Sequence, residues 1–173
     1  MMVRSKIRIA AVALAAAVLA TTTAAAQTRP TPPPSPSTKG SQQAAQQKSR
    51  QDIVHRVVVQ ITQNDATTMN AALNNIDNMI KYFADKGEKV EVELVAYAAG
   101  LHMLREDTSP VRARLSALAG RKGVTLSGCE NTMANHSKQE EKPITLVPEA
   151  RTVASGIVRV VELQEQGWIY VRP

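Results

Sequence analysis

The sequence predicts an α/β sandwich built on a mainly parallel sheet. Short β-branched apolar runs alternate with stretches of helical periodicity, and polar turns and glycines fall between them. The pattern is confined to residues 52–173, a stretch long enough to bury a substantial core.

The elements follow in order. Residues 57–61 (VVVQI) read as a buried strand that ends in the polar turn 62–65. Met69, Leu73, Ile76, Ile80 and Phe83 recur at helical spacing, with Asp65 or Thr67 to cap the helix and Gly87 to end it. Residues 90–97 (VEVELVAY) form the second strand, closed by the small residues Ala98, Ala99 and Gly100. Ser109 and Pro110 offer a hydroxyl N-cap followed by proline at the first helical position. Val111, Leu115 and Leu118 supply that helix's buried stripe, and Gly120 and Gly123 mark its exit. Residues 124–127 (VTLS) are expected as the third strand and 144–147 (ITLV) as the fourth. Residues 155–166 are expected as a helix stopped by Gly167, and 168–171 (WIYV) as the last strand.

Residues 1–26 have a basic start, an apolar run of about a dozen residues and small side chains at 24–26, the pattern of a secretory signal cleaved after Ala26. The run is short of the roughly 20 residues needed to span a bilayer, so no stable membrane insertion is expected after cleavage. Residues 27–51 are rich in proline, serine and glutamine and read as an extended, disordered linker. The net charge of +6 resides in these two segments: after residue 51 there are 14 Lys and Arg against 15 Asp and Glu. The folded part therefore offers no electrostatic case for nucleic acid. Five aromatic residues are too few for a base-stacking surface.

Parallel sheets gather ligands beyond the carboxyl ends of their strands. That directs attention to Asn64 and Asp65, to residues 100–102 and to residues 128–131. Cys129, the single cysteine, stands at the exit of the third strand in SGCENTM. Gly128 is read as permitting a sharp turn there. A helical turn starting near Glu130 would set the thiol at a helix N-terminus, whose positive end favours the thiolate, while Glu130 opposes it. An activated lone thiol can attack an electrophile, exchange disulfides or carry a persulfide. The competing reading is a small buried hydrophobe.

The runs VVVQITQND, AYAAGLHML, SPVRARLSALAGRKGVTLSGCENTM and ASGIVRVVELQEQGWIYVRP resemble the DsrE/DsrF-like sulfur-relay family, in particular its exported, periplasmic branch. The resemblance covers residues 55–173. It implies a Rossmann-like three-layer α/β/α domain with a five-stranded sheet, assembled as homotrimers or hexamers. It implies that Cys129 accepts sulfur as a persulfide and passes it to a thiol partner protein, with no cofactor. Asn131 and Thr132 match the cysteine loop and would shape it through hydrogen bonds. His102 falls in the loop after the second strand, which in this fold faces the cysteine; Gly128 and Asn64 are supporting positions at strand ends. The chain departs from the cytoplasmic relay members in its leader and its single cysteine.

Other chemistry has little footing. His136 lies seven residues after Cys129, a spacing that fits no common zinc motif, so no metal site is expected. No phosphate loop, dinucleotide fingerprint or Cys-x-x-Cys pair is present. A hydrolase built on a Cys–His pair lacks a recognisable orienting acid. The alternative to a sulfur carrier is a non-catalytic homo-oligomeric module that binds a small ligand or a protein and keeps its cysteine in the core.

Overall fold

The structure, a computed structural model, describes residues 43, 46–50 and 52–173. The expected signal segment and most of the expected linker lie outside the described residues. Residues 46–50 are helical rather than extended, with Ser49 Oγ donating to the Gln46 carbonyl at 2.8 Å. Their glutamine, lysine and arginine side chains are good helix formers and no proline interrupts them.

The elements are β1 (Val54–Ile61), α1 (Ala66–Asp85), β2 (Lys89–Ala96), a 3-10 helix (Ala98–Met103), α2 (Arg112–Ala119), β3 (Val124–Cys129), α3 (Glu130–Glu140), β4 (Ala150–Val153), α4 (Gly156–Glu165) and β5 (Ile169–Val171). All five strands are parallel, in the order β4-β3-β2-β1-β5. Right-handed crossovers that step one way across the sheet put their helices on one face. Accordingly α1 and α2 share a face, where Met69, Leu73, Ile76, Leu115 and Leu118 pack on Val57, Val59, Leu94 and Leu126. The chain then reverses from β4 to the far edge at β5, so α4 crosses the opposite face. There Val160 and Leu163 pack on Val58 and Val95, with Tyr97 and Trp168 beside them. Among the described residues, no helix is long and apolar enough to cross a membrane.

Three expectations are corrected. Residues 144–147 are not the fourth strand: Leu146 makes one antiparallel bridge to Arg105, and Ile144 and Val147 plug the core between Pro143 and Pro148. The fourth strand is the polar Ala150–Val153, an edge strand that pairs only with β3. The second helix starts at Arg112 rather than Pro110, with Val111 as its N-cap, and the Ser109 hydroxyl donates to the Met103 carbonyl at 2.5 Å. Gly128 does not turn the chain: it lies within β3, paired to Ala96 and Thr152. A Cβ there would meet the end of the Leu146 side chain at 2.5 Å, which would have to shift.

Candidate functional site

Side chains in register across a parallel sheet share a face. Cys129 pairs with Val153 and stands two residues beyond Ser127, which places it on the α4 face with Ser127 and Glu93. It is also the N-cap residue of α3. The sulfur is thus held at the point where strand turns to helix, and only 4% of the residue reaches solvent.

Four polar donors stand near this sulfur without closing a hydrogen bond to it: the Thr132 hydroxyl and the backbone N–H groups of Gly156, Thr132 and Asn131. They come from the first turns of two helices, α3 and α4, and none closes a cap hydrogen bond. Burial pushes the thiol up, but these donors outweigh it and hold it below an ordinary thiol. The Thr132 oxygen accepts the Ala98 N–H at 3.1 Å, which leaves its own proton for the sulfur. Ala98 sits at φ 51°, a left-handed conformation uncommon for alanine, and Thr132 anchors it there. Gly156 brings its N–H in because it has no side chain: a Cβ would lie 2.7 Å from the Tyr97 ring. Gly100 is equally constrained, since a Cβ would fall 2.3 Å from the Ile61 carbonyl oxygen.

The same face carries a buried ionic cluster. Glu93 accepts from Arg159 at 2.9 and 2.8 Å and from Ser127 at 2.8 Å, and ion-pairs with Arg151 at 2.9 Å. Burial raises its pKa, and the two guanidiniums and the hydroxyl overcome that and hold it below the usual carboxylate range. Arg151 and Arg159 also line a cavity of about 480 Å³, walled by Thr152, Ser155 and Val158.

The predicted site residues divide. Cys129, Thr132 and Asn131 come together, with Asn131 contributing its backbone N–H, which also reaches the Ala154 carbonyl at 3.3 Å. Gly128 supports them from within β3. Asn64 is exposed in the turn between β1 and α1, where the neighbouring Asp65 caps α1 through the Thr68 N–H at 2.7 Å. His102 turns instead to Thr108 and His136: its Nδ1 lies 2.8 Å from Thr108 Oγ1, and the two imidazole centroids are 5.2 Å apart. Burial, with Arg105 and His136 nearby, pushes the His102 pKa down. One ligand atom each from His102, His136 and Glu140 lie within 4.8 Å of one another, a metal-ligating arrangement that counting from Cys129 did not reach. Sequence reasoning also missed Gly156 and Glu93.

No protein-family profile matches this sequence, and no curated protein does. The solved structures that match include one with a TM-score of 0.59 and 33% identity, over 69% of this chain and 99% of the other. It is a protein of unknown function, MTH1491, from Methanobacterium thermoautotrophicum. This chain belongs to the family of that protein. The match supports the α/β architecture and carries no activity with it.

Proposed function

We propose that this protein is a DsrE-like sulfur carrier in which Cys129 holds a persulfide. The observation that supports it is the set of donors around one sulfur, drawn from two helix N-termini and the Thr132 hydroxyl. That set stabilises negative charge on sulfur, which both attack and release require. In the loading step the Cys129 thiolate attacks the outer sulfur of a persulfide donor. The donor's S–S bond breaks, a Cys129 S–S bond forms, and the electron pair leaves on the donor thiolate. Delivery to a partner thiolate repeats the exchange in reverse, with no net oxidation and no cofactor. The leader supports export to the periplasm. The exposed apolar residues Ile157, Val158 and Val161 on α4 support a homo-oligomer.

The second reading, a non-catalytic binding module, is favoured by the burial of Cys129. Intact-mass spectrometry of the full chain with glutathione persulfide separates the two, with Cys129→Ser alongside. A carrier gains one sulfur, loses it to reductant, and gains nothing as the serine variant. A thiol that takes up no sulfur, and resists alkylation until unfolded, refutes the carrier and leaves the binding module.

A further inference from the structure

The two segments that meet at the cysteine meet again further from it. Thr132 of α3 takes the Ala98 N–H at the start of the 3-10 helix. One turn on, His136 stands against His102 near that helix's end. Glu140 follows His136 at i+4 and therefore shares its face of α3. A ligand atom from each of the three lies within 4.8 Å of the others.

Two of the three residues are oriented by hydrogen bonds, and the third has a buried nitrogen without a partner. The contact of His102 Nδ1 with Thr108 Oγ1 fixes the ring and leaves Nε2 as the ligand atom. Glu140 receives both arms of the Arg105 guanidinium, at 2.5 and 2.7 Å, and Arg105 is wholly buried. Glu140 Oε1 keeps a further lone pair for a metal, while Oε2 also faces Lys142 Nζ at 3.2 Å. His136 Nδ1 is buried without a hydrogen-bond partner, and such an atom in a native fold calls for a water or an ion.

We infer that His102, His136 and Glu140 form a binding site for a divalent transition-metal ion of the zinc class. Two imidazoles and one carboxylate are a donor set that Zn²⁺ takes, and three protein ligands leave a position for water. Metal–ligand distances of about 2.0–2.2 Å put tetrahedral ligands roughly 3.4 Å apart. Rotation of three side chains supplies the remaining approach. Imidazole donors disfavour magnesium and calcium. Cys129 is not a ligand, because His136 is seven positions on, about 10 Å along the axis at 1.5 Å per residue. Arg105 and Lys142 flank Glu140 and oppose a cation, so binding is expected to be weaker than at a site without them. A bound ion would pin the 3-10 helix to α3.

The test uses the full chain, stripped with chelator, titrated with Zn²⁺ by calorimetry and with Co²⁺ by visible absorption. Circular dichroism of each variant checks folding. The expected result is one ion per chain, a cobalt spectrum without a sulfur charge-transfer band, and the same affinity in Cys129→Ser. His102→Gln, at a half-buried position, lowers the affinity at least tenfold while keeping the fold, and His136→Gln does the same. No saturable binding, affinity unchanged in His102→Gln, or a sulfur charge-transfer band overturns the proposal. Because Cys129→Ser keeps the metal site, the two assays fail independently.

Discussion

Glu93→Gln removes one charge from the buried cluster and keeps its shape. The carboxylate is almost fully buried, takes two hydrogen bonds from Arg159 and one from Ser127, and ion-pairs with Arg151. Breaking a buried ion pair by deleting one partner costs about 3–5 kcal/mol. Here the orphaned cations regain water in part, since 23% of the Arg159 side chain and 51% of the Arg151 side chain are exposed. Discounted for that screening, the loss is about 2–3 kcal/mol. Unfolding entropy of about 2.1 cal/mol/K per residue, over a domain of roughly 120 residues, converts this into a fall in Tm of about 8–12 °C at pH 7. The pH dependence is a second check. A carboxylate whose folded pKa is depressed contributes stability above its unfolded pKa, near 4.3, and loses it as pH falls through the lower folded value. The gap between wild type and variant is therefore widest at neutral pH and begins to narrow as pH falls below about 4.3. Calorimetric melts from pH 3 to 7 measure both. A variant within about 2 °C of wild type at pH 7, or a gap that does not narrow in acid, refutes the reasoning.

Thr132→Val deletes a donor at the sulfur and the acceptor of the Ala98 N–H. The pH midpoint of Cys129 alkylation, expected below the ordinary thiol value of about 8.5, should rise in this variant; an unmoved midpoint would show that the hydroxyl does not act on the thiolate. Gly100→Ala drives a methyl into the Ile61 carbonyl, which is backbone and cannot yield. A loss of at least about 1–3 kcal/mol in urea denaturation is expected, and a wild-type midpoint contradicts the packing. Ile157, Val158 and Val161 lie exposed along α4, so sedimentation should show an oligomer that Val158→Glu with Val161→Glu weakens. A wild-type monomer rules that interface out.

Strands β1, β2, β3 and β5 were legible because β-branched residues cluster between polar turns. The fourth was not, because an edge strand needs one apolar side at most and Ala150–Val153 reads as polar. The apolar 144–147 run drew attention instead, although its burial comes from plugging the core end. At the cysteine, Thr132 and Asn131 were legible as neighbours in the chain. Gly156 arrives from 27 positions away through the β3–β4 pairing, which local pattern does not specify. Glu91 and Glu93 alternate with apolar residues along β2, and only the tertiary approach of Arg151 and Arg159 decides that Glu93 is buried. His136 and Glu140 carried a readable i+4 spacing, but their partner His102 lies across the fold.

The pairing of β5 with β1 governs how the chain must be made. Val57, Val58 and Val59 join Ile169, Tyr170 and Val171 across more than a hundred intervening residues. Until that last short strand docks, one side of an apolar strand presents unpaired amides and carbonyls. A nascent or partly unfolded molecule lacking only this final step therefore carries a template for pairing with its own kind, and needs either rapid completion or a chaperone at that edge.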